Sequence, residues 1–391
     1  MSALVGATSV TGAIELVEVG GILLLLGLVA FAAARIGISA VPFFLVAGLV
    51  FGEGGITKLE VSQGFIASAA NIGALLLLLL LGLEYSAREI ASAVASRKSV
   101  IFVDLLNAIP GLIVGYVMQW GTLGMLAMAG ITFISSSGIA SQLIRDSGFQ
   151  RSEVARRTVS VLVVEDLAIA PYLPLVTALV LGVGVVGGIV SVGAALAITG
   201  LVLLIGVRNP TAVSRLLNAR EPNALLLTVF GAALLAAGAA TFIGFSGAVA
   251  AFLVGLLLTG EVADAVRARL SPLRDFFSAL FFLFFGLATD PADIPTVLPL
   301  AAALAVAGVG LKMFVGWWIA KDLTDRMSWR RVGAFLVPRG EFSILIAGLV
   351  VGVSYSEQLQ ALTITYVMLT AVIGSVLLLI FRSGFERSSV E

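Results

Sequence analysis

One apolar run after another fills this chain. Many come close to the roughly 20 residues that a helix needs to cross a bilayer. "IELVEVGGILLLLGLVAFAAA" (14–34) and "LPLAAALAVAGVGLKMFVGWWIA" (298–320) are two of them. Of 391 residues 60% are hydrophobic and only 12% charged, about half the charged share of a soluble domain. The fold class that follows is an all-α polytopic membrane protein. The chain has neither Cys nor His. Disulfides and thiolate metal sites are thereby excluded, and proton exchange near neutral pH falls to buried carboxylates or a buried Lys. A net charge of zero argues against a nucleic-acid partner. The first twelve residues hold no Lys or Arg, so the basic start of a cleavable signal peptide is missing and the first apolar segment reads as a retained span.

Thirteen helices are expected, near 14–34, 39–52, 66–85, 99–118, 121–144, 156–180, 185–207, 223–242, 244–260, 275–289, 295–320, 331–353 and 359–381. The basic residues sort between alternate spans. Arg35, then Arg88, Arg97 and Lys98, then Arg145, Arg151, Arg156 and Arg157 fall on one side. Arg208, Arg215, Arg220, Arg267, Arg269, Arg274, Lys321, Arg326, Arg330, Arg331, Arg382 and Arg387 join them, while the opposite loops hold only Lys58. By the positive-inside rule the N-terminus is outside and the C-terminus cytoplasmic, in the cell membrane. Lys312 and Arg339 belong to no loop.

Two segments recur. "FLVAGLVFGE" (44–53) and "FLVGLLLTGE" (252–261) share six of ten positions, and "LLLLLLGLE" (76–84) and "FLFFGLATD" (282–290) both carry Gly-Leu, at Gly82 and Gly286. The copies lie seven spans apart, an odd number, so they face opposite ways in the membrane. The chain therefore reads as one transmembrane domain: a first repeat over 14–180, a linker helix over 185–207 and an inverted second repeat over 223–381. Such a 6+1+6 arrangement marks secondary transporters. The same offset pairs span five with span twelve, and both are interrupted. "FISSSGIAS" offers Ser135, Ser136, Ser137 and Gly138, whose local hydrogen bonds compete with a continuous helix. "LVPRGEFS" offers Pro338, which lacks a backbone donor. Two broken, crossing helices in matching places point to an ion site.

Glu165 and Asp166, in "VLVVEDLAIAPYLP", lie eight and nine residues beyond Arg157, roughly 12–14 Å into the membrane at helical rise. Lys312 lies nine residues before Lys321, and Arg339 and Glu341 eight and ten after Arg331, so all five share a layer at about 12–15 Å. A charge at that depth costs on the order of 2.5–3.5 kcal/mol on insertion scales and belongs beside a cavity or a partner. Neighbours on a helix point about 100° apart, so one acid can face a cavity while the other faces a neighbour. A proton or a cation can neutralise such a carboxylate, and the two compete. One site with two exclusive occupants and alternating access is an antiporter. Asp104, six residues past Lys98 with Asn107 one turn on, reads as a hydrated helix-end acid or as lining a cytoplasmic funnel that concentrates cations.

These residues resemble the cation/proton antiporter-2 family, the membrane part of bacterial sodium/proton and potassium-efflux antiporters. "PFFLVAGLVFGE", "IGALLLLLLLGLE", "FISSSGIASQLI", "VLVVEDLAIAPYL", "FSGAVAAFLVGLLL", "FFLFFGLATDP" and "PRGEFSILIA" are similar to its blocks, in its order, over nearly the whole chain. The resemblance implies that Asp166 carries the proton and the monovalent cation. It also implies that Lys312 pairs with the first acid, that Thr132, Ser135 and Ser136 lie near the ion, and that Arg339 and Glu341 form a structural pair beside the second break. The family's first acid is Asp, Asn or Gln; Glu165 keeps the charge and leaves the stoichiometry open. If Lys312 gives up its proton as the cation enters, two protons move per cation and exchange is electrogenic, the cycle that the presence of both charged partners favours.

The resemblance also implies a homodimer with spans one and eight near the contact, and no cofactor is expected beyond the transported Na⁺ or K⁺ and H⁺. The rival classes are a channel with the same acids as a selectivity ring and a membrane enzyme with a Ser nucleophile, disfavoured by the lack of His. A potassium-efflux antiporter gated by a cytosolic nucleotide-binding protein is the alternative within the family. The chain stops about ten residues past span thirteen, so such a regulator is expected as a separate polypeptide rather than a cytoplasmic domain.

Overall fold

The computed structural model describes residues 10–36, 38–52, 63–84, 102–149, 152–180, 221–242 and 247–382, with single positions at 55, 193, 197, 201, 204, 208 and 217. Among the described residues there are fourteen α-helices and no strand. They are α1 (Val10–Ile36), α2 (Val41–Phe51), α3 (Gln63–Glu84), α4 (Ala108–Val117), α5 (Gly121–Phe133), α6 (Ser137–Asp146) and α7 (Glu153–Val180). Then follow α8 (Pro222–Phe242), α9 (Gly247–Leu256), α10 (Gly260–Leu287), α11 (Ile294–Ala320), α12 (Ser328–Leu336), α13 (Glu341–Leu349) and α14 (Ser356–Arg382). A 3₁₀ turn, Leu105–Asn107, precedes α4.

Each expected span except the seventh has its helix here. Span five is α5 plus α6 and span twelve is α12 plus α13, both broken where the sequence breaks them. The linker 185–207 lies outside the described residues apart from single positions. So do the basic loop residues Arg88, Arg97, Lys98, Arg151, Arg215, Arg220 and Arg387, and Lys58. Seven described segments are long and apolar enough to cross a membrane, with three shorter apolar helices beside them. One boundary differs clearly. Span ten, expected from residue 275, belongs to a 28-residue helix that starts at Gly260 and runs through Pro272. The basic stretch taken for a loop is helical because its charges find partners along the helix. Arg267 pairs with Asp264 at 3.5 Å and donates to the Leu83 carbonyl at the end of α3.

The helices pack in two groups. In one, α10 lies along α2 and α3, and α9 packs against α3 and α8. Their crossings are made by glycine. A Cβ on Gly286 would stand 2.3 Å from the Leu45 carbonyl oxygen and 2.8 Å from the Gly48 Cα; one on Gly255 would stand 3.0 Å from the Gly82 Cα. Small residues let membrane helices approach until backbones touch. All four glycines lie in the two recurring sequence segments. In the second group α4 and α5 pack together, α11 lies on α12 and α14, and α7 touches α5 and α12. Ile131, Leu173, Ile344 and Leu362, from α5, α7, α13 and α14, are fully or almost fully buried there. This second group holds every buried charge singled out from the sequence.

Candidate functional site

The two broken helices cross at their breaks. After α5 the chain turns extended at Ile134 (ψ 131°), and the Ser136 N–H donates to the Pro338 carbonyl at 2.8 Å. The Ser135 hydroxyl donates to the Leu336 carbonyl at 2.8 Å. The crossing admits no side chain at Gly340, where a Cβ would lie 2.5 Å from the Ser136 Oγ. Four half-helix ends therefore meet in one buried place, two C-terminal and two N-terminal.

Arg339 and Glu341 answer those ends, and this corrects the pair expected of them. Nη2 and Nε of Arg339 donate to the Thr132 carbonyl at 2.8 and 3.2 Å. Nη1 donates to the Leu336 and Val337 carbonyls at 3.1 and 2.7 Å. Glu341 instead accepts the Ser136 hydroxyl at 2.6 Å and the Gly138 N–H at 3.1 Å. Helix C-termini carry partial negative charge and N-termini partial positive charge. The guanidinium is drawn to the C-terminal ends of α5 and α12, and the carboxylate to the N-terminal ends of α6 and α13. Each charge is balanced by helix dipoles, so neither needs the other.

The acid pair sits beside this crossing on α7. Glu165 and Asp166 are both buried. Glu165 Oε2 accepts the Ser135 N–H, a donor that the break releases from helical bonding, and Oε1 accepts the Ser135 hydroxyl at 3.2 Å. Lys312 Nζ lies 2.8 Å from Glu165 Oε1 and 5.7 Å from the centre of the Phe133 ring. The structure thus joins Ser135, Glu165 and Lys312 in one cluster and Ser136 with Glu341 in another. The Thr132 hydroxyl turns back to the carbonyls of Met128 and Ala129, at 3.0 and 3.3 Å; its own carbonyl goes to Arg339.

Asp104 is buried rather than at an exposed helix end. Its side chain is 1% exposed, and Oδ1 lies 2.8 Å from Lys312 Nζ. Asn107 Nδ2 donates to the same Oδ1 at 3.1 Å and to the Asp104 carbonyl at 2.9 Å. The turn carrying Asp104 packs on α11, which brings the acid to the ammonium. The spacing of Asp104 from Lys98 points to a helix end and does not reveal this partner.

An open cavity of about 710 Å³ reaches the crossing from one side. Ser137, Gly138, Gln142, Asp275 and Glu341 are among its lining residues.

The family described as "Sodium/hydrogen exchanger, transmembrane" matches residues 21–382. This chain belongs to that family. The K⁺/H⁺ antiporter subunit KhtU of Bacillus subtilis is 30% identical over 374 residues, covering 91% of each chain. The glutathione-regulated potassium-efflux system protein KefC of an Enterobacter species is 30% identical over 379 residues; these cover 92% of this chain and 59% of that protein. The sodium proton antiporter MjNhaP1 of Methanocaldococcus jannaschii superposes with a TM-score of 0.72 at 16% identity, over 94% of this chain and 96% of that one. The family and the fold are those of a multi-pass membrane transporter.

Proposed function

We propose that this exchanger moves a monovalent cation, Na⁺ or K⁺, against protons by alternating access, with cation and proton competing for Asp166. The carrying observation is Glu165, buried beside Asp166, bonded to the break in span five and paired with Lys312. A charge network of this kind lies where irregular backbone in a transporter binds ions. Deprotonated Asp166 takes the cation with help from Glu165. After the site turns to the other face, a proton replaces the cation. The cavity that ends at Glu341 supplies a route toward the crossing. Potassium is the first cation to test, because KhtU is a K⁺/H⁺ antiporter subunit. KhtU is one subunit of its antiporter, which favours a separate partner for this chain too.

The inverted repeat is part of this reading. Exchange of the two halves would carry the α2–α10 contact onto the α9–α3 contact, and the glycine crossings support that symmetry. Sorting of the basic residues supports an outside N-terminus in the cell membrane. Exposed apolar side chains on α1 and α8, such as Leu24, Phe31, Leu227 and Leu235, suit a lipid-facing or homodimeric surface.

Asp166→Asn tests the assignment. The amide keeps the volume and can neither release a proton nor supply charge. Proteoliposomes with Na⁺, Li⁺ or K⁺ gradients should show proton flux with the native chain and none with the variant, at equal incorporation. Cation-driven proton flux retained by Asp166→Asn would remove Asp166 from the mechanism.

A further inference from the structure

One buried acid that the exchange cycle above does not use is Asp104. It is buried and lies on a different span from the other two carboxylates, yet it touches the same ammonium. Lys312 Nζ stands 2.8 Å from Asp104 Oδ1 and 2.8 Å from Glu165 Oε1. Asn107 Nδ2 holds Asp104 Oδ1 in place at 3.1 Å.

The three positions come from three separate elements: the turn before α4, α7 and α11. Glu165 has a second donor in the Ser135 N–H. If Glu165 were the sole partner of Lys312, any cation taking its carboxylate would strand a buried ammonium, which is strongly unfavourable. Asp104 removes that obstacle, because the ammonium already has a second carboxylate at the same distance.

We propose that Asp104 is a positioning residue that sets the cation affinity of the site: it keeps Lys312 paired while Glu165 turns to the cation. The inference rests on the reading that Glu165 and Asp166 receive the cation. In an exchanger without Asp104, Lys312 would hold Glu165 tightly, and cations would have to compete with it. A structural tie between span four and α11 would instead affect folding or turnover, not affinity.

Calorimetric titration of the purified full chain in detergent with NaCl or KCl, against choline chloride, measures affinity. Exchange in proteoliposomes gives KM and maximal rate. Asp104→Asn should weaken cation binding about tenfold or more and raise KM in step, with maximal rate changed less than threefold. In a Lys312→Gln background the same change should alter affinity less than threefold, since there is no ammonium to share. Wild-type affinity in Asp104→Asn would overturn the proposal, and so would an equal loss in both backgrounds. If Asp104→Asn does not fold, Asn107→Ala keeps all three charges and frees only the Asp104 carboxylate. It should weaken binding about threefold, and unchanged affinity there would overturn the proposal equally. Asp166→Asn in the same titration separates the two readings. Native-like binding by that variant defeats the site assignment itself, whereas lost binding there with native-like Asp104→Asn defeats only the role of Asp104.

Discussion

Replacing Arg339 by Met keeps a long unbranched side chain and removes the guanidinium from a fully buried position. Three carbonyls lose a donor: those of Thr132, Leu336 and Val337. The Leu336 carbonyl keeps the Ser135 hydroxyl, so two carbonyls bear the loss. A buried polar group left unsatisfied costs about 1–3 kcal/mol, and the two together about 2–6 kcal/mol on the same scale. Loss of the cation from two helix C-terminal ends adds to this, at about 0.3–1 kcal/mol per end. Reversible unfolding by SDS in mixed micelles should therefore show Arg339→Met destabilised by about 3–8 kcal/mol. Arg339→Lys should fall between it and the native chain, because one ammonium restores the charge but cannot reproduce the planar fork. A loss below about 1 kcal/mol, the net worth of an ordinary hydrogen bond, would show that the crossing does not depend on Arg339 in this way. Native stability in Arg339→Lys would show that charge alone suffices and the fork geometry is irrelevant.

Gly286→Ala places a Cβ 2.3 Å from the Leu45 carbonyl oxygen, so α2 and α10 must separate, at about 1–3 kcal/mol for overpacking. Gly310→Ala on α11, with nothing within 4 Å, is its control; equal stability of the two variants by SDS titration would refute the close-crossing account. The two-proton cycle requires Lys312 to give up its proton as the cation enters, but a second carboxylate, Asp104, lies 2.8 Å from its ammonium. Exchange is therefore expected at one proton per monovalent cation, with the balance point in proteoliposomes unmoved by an imposed membrane potential. A balance point that shifts with voltage would restore the electrogenic cycle.

The sequence by itself determined the membrane class, the positions of the spans and the layer of buried charge. Each of these follows from local quantities: the length of an apolar run, the rise of a helix, and the cost of a charge far from water. The breaks were legible for the same reason. Pro338 and the serines at 135–137 act on their own backbone, and the structure interrupts both helices there. Helix α10 shows the limit of that reasoning, because Arg267 and its neighbours looked like a loop until Asp264 and the end of α3 supplied their partners.

Only the tertiary structure decided what the buried charges hold. Two residues apart in sequence, Arg339 and Glu341 part company because four half-helix ends, contributed by segments about 200 residues apart, meet at the crossing and attract opposite charges. The partner of Asp104 is not legible in the sequence because Lys312 lies 208 residues away. Periodicity reports which face of a helix is apolar, but not which neighbour that face will meet. Buried polar groups select their partners from whatever the packing of other helices brings within about 3 Å, and that choice is made only once the chain has folded.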